Sequence, residues 1–365
     1  MPDLPAAARL YLRPIQFVDT PIGRDGEVAR LAGGLLWFSA YDLIAVEGGK
    51  RVLQRTISIA EAEADARLAA IAQRITAPRA PLALGPRTLR FDQPQVMAIL
   101  NMTPDSFSDG GKHLGDPAAA AQSGVDMGIA GAAILDVGGE STRPGAETVW
   151  EGDEIARVVP VIERLAATGA AISIDTRKAA VMEAALAAGA HVVNDVSALL
   201  YDDRALEVVA RAGCPVVLMH AADPKHGAKG KGGTADPLIE VYDWLEARVA
   251  AAVAAGVDRA KIVIDPGIGF GKSLADNLAL MNGLALFHGL GCPILLGASR
   301  KRIVGALANE APAEARLGGS LALALKGAGL GVQLLRVHDV FESVQALRVW
   351  RGMQDAALTA PYAAV

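Results

Sequence analysis

Two cysteines in 365 residues are too few for a disulfide framework or a thiolate metal cluster. Both, Cys214 and Cys292, sit in Gly-Cys-Pro triplets just ahead of apolar runs, where a small buried filler is expected. A membrane-spanning run is also missing, since the apolar stretch from Leu31 to Val46 is broken by Asp42. The first residues, Met1-Pro-Asp-Leu-Pro5, lack a basic segment followed by an apolar one, which argues against a secretory leader. A net charge of -5 with both signs dispersed argues against general nucleic-acid binding and makes any anion site local. These absences point to a cytoplasmic globular protein. What is present agrees: the chain is 52% hydrophobic and long enough for a barrel-sized domain with something attached.

Residues 1–82 read as a small α+β extension of unknown role. Tyr11–Phe17 and Leu35–Tyr41 are strand-like, and Ile59–Ile75 is a helix candidate. Nothing there has catalytic spacing, so a docking or oligomerisation appendage is the expectation. Pro78 and Pro81 mark a linker, and Arg87–Phe91 reads as a short hairpin leading into the main domain, residues 83–365.

From Val96 onward, short apolar runs alternate with Ala-rich segments of helical period. The runs are Val96–Leu100, Ile134-Leu135, Ala171–Ile174, Val192-Val193, Val216–Leu218, Ile262–Ile264, Ile294–Leu296 and Leu334–Val337. Each run after the first follows a glycine, at 131, 169, 189, 213, 256, 291 and 331. Glycine ends a helix in the left-handed conformation and turns the chain back toward a sheet. Eight such units favour a (β/α)8 TIM barrel, and no GxGxxG follows the first strand to support an open dinucleotide-binding sheet.

Barrel active sites form at the C-terminal strand ends. Those ends carry Asn101, Asp136, Asp175, Asn194-Asp195, Met219-His220, Asp265, Ser299-Arg-Lys301 and Arg336-Val-His338-Asp339, whereas the opposite ends carry glycine, alanine, proline and the cysteines. The carboxylates alternate with cations that would repel a bare metal, so a ligand with two faces is expected. Asp175, Asp265 and Asn194 suit the guanidine-like edge of an aminopyrimidine. Arg336, His338 and Asn101, on strands that adjoin on closure, suit a phosphate with or without Mg2+. His191 and His288 read as structural.

Asn101–Gly111 (NMTPDSFSDGG), Asp136–Ala146 (DVGGESTRPGA), Ile174-Asp-Thr-Arg177, Val193-Asn-Asp195, Asp265–Lys272 (DPGIGFGK), Ser299-Arg-Lys301 and Arg336-Val-His-Asp339 closely resemble the dihydropteroate synthase family of folate biosynthesis. The resemblance spans about residues 85–350 and leaves the first 82 outside. It implies a sulfonamide-sensitive transferase joining p-aminobenzoate to 6-hydroxymethyl-7,8-dihydropterin diphosphate, with release of pyrophosphate. It puts the pterin against Asp175, Asn194, Asp265 and Lys301, walled by Met219 and Phe270. Asn101 would ligate Mg2+ on the diphosphate, held also by Thr142, Arg143, Arg336 and His338. Phe107, Pro144 and Ser299 would form the p-aminobenzoate site. The implied mechanism is dissociative: pyrophosphate departs, Asp109 on the first loop stabilises the pterin-methylene cation, and the aniline nitrogen attacks. A homodimer through the late helices near Leu321–Gly329 is a further family expectation.

After Met219-His220 the chain departs from the family pattern with Ala221-Ala-Asp-Pro224 and the basic stretch Lys225–Gly233, so Lys225 and Lys229 are expected to be solvated. Two alternatives share the pterin-binding residues. A corrinoid-linked methyltransferase would not need Phe107, Asp109 or Ser299-Arg-Lys301, and a non-catalytic pterin-binding paralogue would not need the catalytic positions to be filled as they are.

Overall fold

The computed structural model describes residues 4–5, 7–103, 116–141, 148–223 and 235–359. The expected site residues Phe107, Asp109, Thr142, Arg143 and Pro144, together with Lys225 and Lys229, lie outside the described residues.

An antiparallel sheet opens the chain: β1 (Arg9–Val18), β2 (Ala29–Arg30), β3 (Trp37–Glu47) and β4 (Lys50–Ser58), with β3 paired to the other three. The strand expected at Tyr11–Phe17 is β1, and the one at Leu35–Tyr41 is the first half of β3. The strand β4 is not legible from apolar alternation, because most of its side chains face solvent. Its signal is the turn Gly48-Gly49, both at positive φ, the conformation a tight hairpin demands. The single helix expected at Ile59–Ile75 is two, α1 (Ile59–Glu63) and α2 (Ala66–Thr76). They break at Asp65, whose carboxylate accepts the Arg67 and Leu68 amides and so starts α2 afresh.

A hairpin of β5 (Leu82–Leu84) and β6 (Arg87–Leu89) leads into the eight-stranded sheet. Strands and helices then alternate: β7 (Gln95–Asn101), α3 (Pro117–Ala130), β8 (Ile134–Gly138), α4 (Glu151–Ala166), β9 (Ile172–Asp175) and α5 (Ala179–Ala187). Next come β10 (Val192–Asp195), α6 (Ala205–Ala212), β11 (Val216–Met219), α7 (Pro237–Ala254), β12 (Ile262–Asp265) and α8 (Leu274–Gly283). The chain finishes with β13 (Leu295–Leu296), α9 (Arg302–Leu307), α10 (Leu317–Ala328), β14 (Leu334–Val337) and α11 (Val340–Thr359). All eight strands are parallel in the order β12-β11-β10-β9-β8-β7-β14-β13, and a bridge between Ile264 and Ile294 closes the ring. The fold is a (β/α)8 TIM barrel. The seven glycines that precede strands all have positive φ, Gly131 at 114° and Gly213 at 59° being the C-caps of α3 and α6.

Alternation along the strands divides the core in two. Ala98, Leu135, Val193, Val216, Ile264 and Leu335 pack outward against the helices. Met97, Ile134, Val192, Val217, Val263 and Leu334 point inward and meet Leu82, Leu84, Leu89 and Phe91 of the hairpin region, which plugs the lower end of the barrel. The opposite end is left for polar side chains.

The N-terminal sheet packs on the flank formed by α7 and the 3-10 turn Leu284–Leu290. Tyr11 and Ile44 are part of the same apolar core as Tyr242 and Phe287. The Tyr11 ring meets Tyr242 edge-on at 5.2 Å, and its hydroxyl donates to Asp243 at 2.8 Å. Arg9 pairs with Glu246, and Arg51 donates to both oxygens of Asp236, the N-cap of α7, at 2.6 and 3.0 Å. Buried Arg79 donates to the carbonyls of Arg74, Ala77 and His288, joining the last turn of α2 to the barrel flank. Arg79→Leu is expected to cost about 1–3 kcal/mol in chemical denaturation, because it strands these carbonyls. Deleting the chain before residue 82 should lower the melting temperature or cause aggregation by uncovering Tyr242 and Phe287. A truncated barrel that melts like the full chain would contradict this docking.

Candidate active site

Period two within each strand decides which residues meet above the apolar plug. Asp136 lies two residues beyond Ile134, Asn194 two beyond Val192, Met219 two beyond Val217, Asp265 two beyond Val263, and Arg336 two beyond Leu334. Each therefore faces the barrel interior one layer higher, at the C-terminal mouth. Asn101 and Asp175 end β7 and β9.

Arg336 is the hub of one half of the mouth. Its Nε donates to Asp136 Oδ2 and its Nη2 to Asp175 Oδ2, each at 2.6 Å. Asp136, fully buried, also accepts Asn194 Nδ2 at 3.0 Å. Burial pushes the Asp175 carboxyl up, and the Arg336 guanidinium pulls it back down. Gly138 keeps this corner open: a Cβ there would lie 3.3 Å from Asn101 Oδ1 and 3.7 Å from Asp175 Oδ2.

The other half gathers around Gly297, where an added Cβ would lie 3.7 Å from Asp265 Oδ2, 3.9 Å from Lys301 Nζ and 4.0 Å from Arg336 Cβ. Asp265 Oδ1 accepts the Gly267 amide at 2.7 Å. Burial pushes the Asp265 carboxyl up, with Lys301 opposing. Burial likewise pulls the Lys301 ammonium down to about 8, with Asp265 opposing. Lys301 donates to Ile268 O at 2.5 Å and sits 4.3 Å from the centroid of the Phe270 ring. Phe270 packs in turn on Val196, Met219 and Ala221. One apolar wall thus faces a rim of three carboxylates, an amide and two cations.

Ser299 and His338 form a separate pair, with the His338 amide donating to Ser299 Oγ at 3.2 Å and Nδ1 lying 3.1 Å from the same oxygen. Arg300 turns away, at φ 55°, and pairs with Asp339. Asp195 accepts the Ser197 and Leu199 amides and so shapes its own turn. The His220 ring meets Trp244 edge-on at 4.8 Å, and burial pulls it down to about 3, leaving it neutral. The two histidines expected to be structural bond locally, His288 Nε2 at 3.0 Å from Leu330 O and His191 Nδ1 accepting the Ile172 amide at 3.2 Å. Cys214 and Cys292 are buried free thiols.

The structure therefore brings Asp175, Asn194, Asp265, Lys301, Arg336, Met219 and Phe270 together, with Asn101 beside Asp175. Sequence reading names Asp136 only as a strand-end carboxylate with no role, and does not single out Lys178 or Lys272. Asp136 holds Arg336 and Asn194 at once. Lys178 bonds Glu140, Glu154 and the Val149 carbonyl, and so joins both ends of the β8–α4 connection. Lys272 is bonded only to carbonyls among the described residues. The signal of the two lysines, charged residues past buried strands, is shared with ordinary surface loops. No group of three or more His, Cys, Asp or Glu able to hold a metal occurs among the described residues. No helix of the described residues is long and apolar enough to cross a membrane.

The sequence model of the pterin binding enzyme family matches residues 97–338, beginning past the whole N-terminal sheet. A dihydropteroate synthase of Escherichia coli K12 is 44% identical over 263 residues, 72% of this chain and 92% of that relative. Among solved structures, a Xanthomonas albilineans dihydropteroate synthase with 4-aminobenzoic acid superposes with a TM-score of 0.71 at 46% identity, covering 77% of this chain and 99% of that one. A Yersinia pestis dihydropteroate synthase in complex with a sulfonamide drug gives 0.72 at 43% identity, covering 76% and 100%.

Arg336→Met would strand buried Asp136 and partly buried Asp175 and is expected to destabilise the fold by about 3–5 kcal/mol in chemical denaturation at neutral pH. Burial already pushes the Asp175 carboxyl up, and losing the opposing guanidinium would push it further, so the variant's deficit should shrink on acidification. Equal stability of variant and wild type at neutral pH would rule out this role for the guanidinium.

Proposed function

The chain belongs to the pterin-binding enzyme family and is a transferase of the dihydropteroate synthase kind, and on that premise we propose how its residues share the work. The reaction joins p-aminobenzoate to 6-hydroxymethyl-7,8-dihydropterin diphosphate. The methylene C–O bond breaks, pyrophosphate leaves with the bonding pair, and the aniline nitrogen forms the new C–N bond and loses a proton. The observation that carries this assignment is the meeting of Asp175, Asp265, Arg336 and Lys301 above one apolar wall.

Two buried carboxylates beside Asn194 match the hydrogen-bond donors of an aminopyrimidine edge. An N–H donor from the ligand would relieve the burial that raises both carboxyls. Lys301 bonds the opposite side of the pterin, and Met219 and Phe270 wall its plane. The diphosphate draws on Arg336, His338 and Asn101, with Thr142 and Arg143 from the β8–α4 connection. Its charge competes with Asp136 and Asp175 for the Arg336 guanidinium. Ser299, with Phe107 and Pro144, forms the p-aminobenzoate site.

The displacement is dissociative. Binding pyrophosphate more tightly as it separates favours C–O cleavage, and Asp109 on the first connection stabilises the cation that remains. Mg2+ fits in one way: with no carboxylate-rich cluster among the described residues, it would rest on Asn101 and substrate oxygens, as Mg2+ with few protein ligands does. There it would offset diphosphate charge. The barrel from residue 83 carries the chemistry, the first 82 residues are a docked extension, the enzyme works in the cytoplasm, and two copies pair through the late helices. The relatives' shared name favours synthesis over methyl transfer.

Pyrophosphate release with the pterin diphosphate, p-aminobenzoate and Mg2+ is the deciding assay, and its absence would refute the proposal. Lys301→Met and Asp265→Asn should each weaken pterin binding about tenfold or more in calorimetry, the scale of a lost charge-assisted hydrogen bond. In the free protein, pterin affinity should fall as pH rises through about 8, where Lys301 gives up its proton. A flat profile across that range would remove Lys301 from the site. A sulfonamide should raise KM for p-aminobenzoate without lowering kcat.

A further inference from the structure

Lys272 is a partly buried cation that the proposed chemistry does not use. Its Nζ donates to three main-chain carbonyls: Gly267 at 2.8 Å, His220 at 3.1 Å and Phe270 at 3.2 Å. Three acceptors use all the donors of an ammonium. No carboxylate bonds to it among the described residues. Asp265 of β12, Lys301 of the β13–α9 connection, Asp276 of α8 and Glu240 of α7 act on it through space, and the His220 ring is neutral.

The carbonyls converge because the β12–α8 connection doubles back on the end of β11. Gly267, Gly269 and Gly271 stand at φ 69°, 84° and 67°, and a Cβ on Gly267 would come within 1.9 Å of the His220 oxygen. Three carbonyl oxygens pointing at one spot repel each other unless a cation sits there. Asn277 secures the other side of the loop by accepting the Gly269 amide at 2.7 Å. The same loop supplies the Gly267 amide to Asp265, the Ile268 carbonyl to Lys301 and the Phe270 ring beneath the Lys301 ammonium.

We infer that Lys272 is a positioning residue whose ammonium knots the β12–α8 connection to the end of β11 and so presents Asp265, Phe270 and Lys301 to the pterin. The inference rests on the pterin assignment made above. Burial pulls the Lys272 ammonium down to about 7, and the neutral amine, with one N–H too few for three acceptors, would hold the carbonyls less well.

The test is Lys272→Met in the full chain, read three ways. Calorimetry with 6-hydroxymethylpterin should give about tenfold or more weaker binding. The KM for the pterin diphosphate should rise in parallel, while KM for p-aminobenzoate and kcat stay within about twofold, a split that general destabilisation would not give. Amide hydrogen exchange should show lost protection at Gly267, Gly269 and Phe270. Unchanged pterin affinity with unchanged protection overturns the inference. A wild type that fails to bind the pterin refutes the functional assignment instead, and the exchange data then decide whether Lys272 holds the loop. Should that variant not fold, Lys272→Gln, which offers two N–H donors for three carbonyls and no charge, is read in the same three ways, and unchanged pterin affinity with unchanged protection overturns the inference.

Discussion

Closing a parallel sheet on itself leaves a side chain two directions, outward to the helices or inward to the barrel axis, and at the axis two ends. The lower end is filled by the β5–β6 hairpin, so inward side chains there are apolar without exception among Met97, Ile134, Val192, Val217, Val263 and Leu334. The polar side chains collect at the upper end. Every polar residue two positions further along these strands is thereby delivered to one rim, and the rest of the site follows from that delivery.

Bringing three carboxylates, an amide and two cations into one small rim is costly unless each finds a partner before the ligand arrives. Arg336 answers this for Asp136 and Asp175, and the Gly267 amide and Lys301 answer it for Asp265. These pairings keep the free site ordered and leave it biased toward a ligand that donates to carboxylates on one side and carries negative charge on the other. On the proposed assignment, the same residues serve stability before binding and recognition after it. Gly138 and Gly297 matter for the opposite reason: each keeps a place where charged side chains converge free of a Cβ.

The N-terminal sheet is tied to the molecule by the same logic of partnered burial. Tyr11 lies inside the barrel's own apolar core, and Arg79 serves carbonyls from both sides of the junction. An appendage held by loose surface contacts would leave such groups in water. Its docking flank, α7 and the turn before β13, is set apart from the mouth, although Arg51 grips the N-cap of α7.

Much of this was legible in the sequence because it is carried by local rules. Glycine at the end of each helix is a backbone requirement, and all seven such glycines adopt the left-handed conformation the repeat implies. Strand-end polarity is a matter of period two, so Asp175, Asn194, Asp265 and Arg336 could be named before any contact was known. The exposed strand β4 and the break at Asp65 escaped, since one has no apolar face and the other is a single capping bond inside a helical pattern. Partnership was decided only by tertiary structure. That Arg336 rests on Asp136 and Asp175, that Lys178 joins two ends of a connection, and that Lys272 sits among three carbonyls depends on where distant strands stop in space. Hydrophobic spacing records which face a residue takes, whereas a buried charge takes its partner from whichever element the closed barrel places beside it.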